Sequence, residues 1–149
     1  MSSEASAGSK SNHNDGLVNV LELHMAGEIA AIGAVTDGVT ETLSRLDVPE
    51  EKTMEIALAV QEALANAVVH GCGNDPSKQV SCQVYRHRTG GILIVVSDPG
   101  PGFPPDSIPN PKRDDRLYEG HGRGVYLIHE LMDEVHYLGS GNKIQMWKY

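Results

Sequence analysis

Aromatic side chains are scarce in this 149-residue chain: 5% of residues, with one Phe and one Trp. Leu, Ile, Val and Ala must therefore form the core. Basic residues are few as well, 12 against 20 acidic, for a net charge of −8. Without a basic stripe the chain is a poor direct partner for nucleic acid. Any anion it binds has to be held by backbone N–H groups or a metal. Two cysteines, Cys72 and Cys82, make no disulfide framework. No apolar run approaches about 18 residues, and no charged-then-apolar leader opens the chain. Neither a membrane span nor a secretory signal is expected, which predicts a reduced, cytoplasmic protein.

A hydrophobic fraction of 40% and a charged fraction of 21% are those of a globular chain. The length suits one domain, which buries roughly 68–70% of its unfolded surface without a disulfide or metal. Residues 1–15, rich in Ser, Asn and Gly, have too little apolar surface to order themselves. The expected organisation is a flexible tail over 1–15 and a single domain over 16–149, with no room for a resident phospho-acceptor or output domain.

Leu21, Leu23 and Met25 share one face of an expected strand over Leu17–Met25. Ile29, Ile32, Val35, Val39 and Leu43 recur at helical spacing. Gly33 and Gly38 weaken that helix. Asp47 and Glu50 have capping-box spacing, with Pro49 in the first turn, and predict a second helix running to His70-Gly71. Val80–Arg86 and Ile92–Ser97, split by Thr89-Gly90-Gly91, read as an antiparallel hairpin. Six of the eight prolines fall between Pro99 and Pro111, a segment suited to a functional lid. A helix over Gly122–Met132 and a closing hairpin, Val135–Leu138 with Lys143–Trp147, complete the chain. This order predicts an α+β fold: an antiparallel or mixed sheet with helices on one face.

Chemistry concentrates in three places. Glu62, Asn66 and His70 interrupt an otherwise apolar helix at four-residue intervals, so they stack along one stripe. That stripe is either a cleft wall or the solvated side of an amphipathic helix. As a cleft wall, the Asn66 amide oxygen suits Mg²⁺, a hard cation, and the Glu62 carboxylate suits proton acceptance from a hydroxyl. His70 by itself reads as a helix-end residue. Next, Asp98 ends a buried strand before Pro99-Gly100-Pro101-Gly102. It is either an acceptor for the exocyclic amino group of adenine or an ordinary Asp-Pro turn. Last, Gly120-His121-Gly122-Arg123-Gly124 opens a helix. Unpaired N–H groups there suit phosphate, and Arg123 can supplement them. A site built from His70, Cys72 and Cys82 has poor metal-ligand spacing.

The three together resemble the GHKL, or Bergerat-fold, ATPase superfamily. Glu62-x-x-x-Asn66-x-x-x-His70-Gly71 is similar to its N box. Asp98-x-Gly100-x-Gly102-Phe103 is similar to its first glycine box, and Gly120-x-Gly122-x-Gly124 to its second. Within that superfamily the chain resembles the small anti-sigma-factor serine/threonine kinases across residues 17–149. The resemblance implies a two-layer Bergerat-type sandwich with an ATP lid. It implies ATP and Mg²⁺ as ligands, Glu62 as general base, Asn66 on the metal and Asp98 on adenine. It further implies that His70, Gly71, Gly100, Gly102, Phe103, Gly120, His121, Gly122, Arg123, Gly124 and Val125 line the nucleotide. Implied partners are a sigma factor, a small antagonist (anti-anti-sigma) protein phosphorylated on Ser or Thr, and a second copy in a homodimer. No direct nucleic acid or membrane partner is implied. Sensor histidine kinases fit less well, because no helix pair carrying a phospho-accepting His precedes the N box. A nucleotide-gated binding regulator of the same fold, without phosphoryl transfer, is the alternative function.

Overall fold

The computed structural model describes residues 15–101, 122–139 and 142–149. Residues 1–14 of the expected tail and 102–121 of the expected lid lie outside the described residues. Strand β1 (Leu17–Ala26) leads through a 3-10 turn (Ile29–Ala31) into helices α1 (Ile32–Arg45) and α2 (Glu50–Asn66). A π turn (Ala67–Gly71) extends α2. Strands β2 (Gln79–His87) and β3 (Ile92–Ser97), helix α3 (Gly122–Leu131), and strands β4 (Glu134–Leu138) and β5 (Lys143–Lys148) follow. The fold is α+β.

The described strands form one sheet in the order β1-β2-β3-β5-β4, and each neighbouring pair is antiparallel. Of the two sheet types left open by the sequence, the antiparallel one is found. β3 lies in the middle, which explains why its sequence is apolar without alternation. Ile94 and Val96 join Val80, Val84 and Met146 in the main core. Side chains of opposite parity point to the other face. There Leu93, Val95 and Trp147 form a second buried cluster.

Helix α2 packs against both α1 and α3. Val39 and Leu43 of α1, Ile56, Val60 and Leu64 of α2, and Ile128 of α3 are wholly buried between helices and sheet. The helical periodicity read for the first helix marks the correct face at Val35, Val39 and Leu43, whereas Ile29 falls in the preceding 3-10 turn and is 52% exposed. No helix among the described residues is long and apolar enough to cross a membrane.

Two local expectations are corrected. Asp47 is not the N-cap of α2; the cap position is Pro49, without a side-chain cap bond. Asp47 instead closes α1. It has φ 60°, its N–H donates to Ser44 O, and the Val48 N–H donates to Leu43 O. That is the Schellman arrangement, which consumes the last carbonyls of a helix. The second correction concerns the end of α2. The α-helical ladder stops at Asn66, and the Cys72 N–H reaches back five residues to Ala67 O at 2.9 Å.

Candidate functional site

The wide π turn follows Asn66 directly, and such turns are frequent at functional sites. It brings the end of the α2 segment onto the end of β3. A Cβ on Gly71 would lie 2.2 Å from Asp98 Cγ, and one on Gly100 would lie 2.4 Å from Gly71 O. Neither position tolerates a side chain without displacement. The glycines of the N box and of the first glycine box therefore serve each other: two backbones meet around one carboxyl group.

Asp98 is half-buried. The Gly100 N–H donates to its Oδ1 at 2.8 Å. Burial raises the carboxyl above its usual range, and the Gly100 bond offsets part of that rise. Ionised, it is an acceptor-only group in a place where charge is costly. It faces a cleft, partly open to solvent, which Asn66, His70 and Gly71 also line. Val96, Ile128 and Tyr137 contribute to its walls. Apolar walls with a few convergent polar groups are the usual lining of a small-ligand site.

Glu62 stands one turn before Asn66 on α2 and does not line this cleft. It meets α3 instead. A Cβ on Gly124 would lie 2.7 Å from Glu62 Oε1 and 3.6 Å from Asn66 Nδ2. The first turn of α3 therefore sits directly on the Glu62–Asn66 pair. Glu62 and Asn66 are partly buried and form a wall between elements, while His70, the third member of the stripe, is exposed at the cleft edge. All three sequence loci meet within one region.

Gly102, Phe103, Gly120 and His121 lie outside the described residues. Gly122 begins α3. Val125, included among the nucleotide contacts on resemblance, is 1% exposed and does not line the cleft. Cys72 and Cys82 are free and buried. Burial raises the Cys82 thiol to about 12, and burial followed by the charge of Asp98 raises Cys72. No cluster of three His, Cys, Asp or Glu able to hold a metal exists among the described residues. Asn66 offers an amide oxygen, the hard donor type that Mg²⁺ takes.

Two cleft residues were not legible as such. Tyr137 lies on β4, and burial pushes its phenol up to about 12. Asn142 ends the β4–β5 turn and bonds the Asp98–Gly100 turn. In the sequence they looked like one strand residue and one turn residue. Only their pairing across the sheet brings them to β3.

Comparison with known proteins agrees with this geometry. Residues 25–148 match the family described as the histidine kinase-like ATPase domain. The chain is 30% identical over 142 residues to the serine-protein kinase RsbW of Bacillus velezensis, covering 89% of this chain and 86% of that protein. It is 32% identical over 104 residues to the anti-sigma F factor of Geobacillus stearothermophilus, covering 65% of this chain and 67% of the other. In fold it is similar to the crystal structure of the RsbU and RsbW domains of a Mycobacterium tuberculosis protein, with a TM-score of 0.58 and 17% identity. That match covers 87% of this chain and 32% of the longer one. With the family match spanning most of its length, this chain belongs to the histidine kinase-like ATPase domain family.

Proposed function

We propose that this protein is an ATP-dependent serine/threonine-protein kinase that acts as an anti-sigma factor. It holds a sigma factor and phosphorylates a Ser or Thr of a small antagonist protein. Relatives named as serine-protein kinase and anti-sigma factor support this reading. The observation that carries it is the convergence of Glu62, Asn66 and Asp98 on one region beside the first turn of α3.

ATP supplies the transferable phosphoryl group, and Mg²⁺ offsets phosphate charge. The chain's own residues have distinct tasks. Asp98 accepts a hydrogen bond from the adenine amino group; Gly71 leaves space for its carboxyl, and Gly100 leaves space for the Gly71 backbone. The Asn66 amide oxygen is the protein's ligand for Mg²⁺. The N–H groups that open α3 at Gly122 face anionic phosphate at the positive end of the helix dipole. Glu62 takes the proton of the attacking Ser or Thr hydroxyl while that oxygen forms its bond to the γ-phosphorus, the bond from that phosphorus to the β–γ bridging oxygen breaks, and ADP leaves. An acidic protein thus holds a polyanion without a basic patch. We also propose that it works in the cytoplasm as a homodimer.

Incubation with ATP, Mg²⁺ and the cognate antagonist tests this. A phosphoserine or phosphothreonine on the antagonist is expected, and Glu62→Gln should abolish it while nucleotide binding stays within about twofold. Intact nucleotide binding with no phosphoprotein from the native enzyme would refute the kinase reading. A regulated partner interaction that survives Glu62→Gln would instead favour a nucleotide-gated binder.

A further inference from the structure

The turn joining β4 to β5 ends at Asn142, at the edge of the cleft that Asp98 faces. Three hydrogen bonds tie it to the end of β3. The Asp98 N–H donates to Asn142 O at 3.0 Å. The Asn142 Nδ2 donates to Asp98 O at 3.1 Å and to Gly100 O at 3.3 Å. Both side-chain partners are carbonyl oxygens, which only accept, so the amide nitrogen must be the atom that faces them.

One amide therefore bridges both ends of the Asp98-Pro99-Gly100 turn. Pro99 has no N–H to contribute. Gly100 supplies the N–H that holds Asp98 Oδ1, and its backbone lies against Gly71 on one side. Asn142 fixes it from the other. The direction of the Asp98 carboxyl thus depends on an amide 44 residues away in sequence.

We propose that Asn142 is a positioning residue for base selection. By clamping the turn it fixes the aim of the Asp98 carboxylate, which accepts an amino group and repels a carbonyl oxygen at the same place. Asn142 acts through Asp98 and need not touch the base. This inference rests on the assignment of Asp98 to adenine.

The test compares ATP and GTP affinities of the full chain by equilibrium titration, for the native protein, Asn142→Ala and Asn142→Ser, with thermal melts of each. Asn142→Ala deletes both side-chain bonds. The ATP-over-GTP preference should fall by about tenfold, the scale of one or two lost hydrogen bonds. Asn142→Ser keeps a single donor on a shorter arm and should recover part of the preference. Should the alanine variant fail to fold, the serine variant is still expected to show a reduced preference. A folded variant whose preference equals that of the native protein overturns the inference, even if its melting temperature has dropped. Equal native affinities for ATP and GTP would overturn the Asp98 assignment and this inference with it. A selective native protein with equally selective variants would overturn this inference alone.

Discussion

Adding a methyl group at Gly71 is the sharpest probe of the site. The new Cβ would lie 2.2 Å from Asp98 Cγ, 2.3 Å from Oδ1 and 2.5 Å from Oδ2. Favourable carbon–carbon contact begins near ~3.5 Å, so Gly71→Ala forces a separation of roughly 1.3 Å at that point. The Gly100 N–H···Oδ1 bond is 2.8 Å long, and a withdrawal of that size takes it out of range. The carboxyl is then misaimed for the adenine amino group, and a ligand hydrogen bond to a charged acceptor contributes about 1.5–3 kcal/mol. Each 1.4 kcal/mol is about tenfold in affinity, so ATP binding should weaken roughly ten- to hundredfold. If the backbone yields instead of the carboxyl, overpacking should cost the fold about 1–3 kcal/mol. Calorimetric titration with ATP, paired with a thermal melt, separates these two responses. A Gly71→Ala protein that binds ATP within twofold of native, with an unchanged melt, would refute the tight Gly71–Asp98 contact.

Three further substitutions bear on the same reasoning. Gly33 lies in α1 with nothing within 4 Å of an added Cβ, so Gly33→Ala should stabilise the fold by about 0.5–1 kcal/mol; a urea melt showing destabilisation would contradict that. At Gly124 the colliding atom is the far end of the Glu62 side chain, which can swing away. Gly124→Ala should therefore keep the native melting temperature but reduce phosphoryl transfer at least tenfold in a radiolabelled-phosphate assay; an unchanged rate would show that the observed Glu62 position is irrelevant to transfer. Asp98 has a raised pKa, chiefly from burial, so ionisation penalises the folded state. That penalty is absent below the ordinary carboxylate pKa, where both states are protonated, and grows as pH rises through the raised value. Asp98→Asn should thus melt higher than the native protein at pH 7 without nucleotide, and the gap should narrow toward pH 4; a gap that widens on acidification would reverse the sign. The same variant should lose ATP affinity by titration, since an amide nitrogen cannot accept the adenine amino group.

Much of the helical layer was legible because periodicity reports burial. Val35, Val39 and Leu43 announced the buried side of α1, and all three are buried. The unbroken run of Ile92–Val96 announced a strand covered on both sides, and β3 is the middle strand. Asp47 misled because its spacing to Glu50 matches a capping box, while its backbone was needed at φ 60° to finish α1. The π turn gave no signal either. A turn whose N–H groups reach back five residues is rare, and nothing in the spacing of this segment distinguishes it from a continued helix. Packing of Gly71 against Asp98 and Gly100 is the tertiary contact that accompanies the wider turn.

The sequence by itself determined the main helices and strands, the scarcity of basic groups and the three loci of glycine and polar residues. Those properties are local, carried by spacing along one element. Only the tertiary structure decided what meets what. It set Gly124 on Glu62, closed Gly71 over Asp98, and brought Asn142 and Tyr137 to a cleft that neither residue type suggested. The physical reason is that antiparallel pairing joins β3 to β5, a strand far along the chain, so the hydrogen bonds that clamp the Asp98–Gly100 turn come from Asn142, whose local context is only a hairpin.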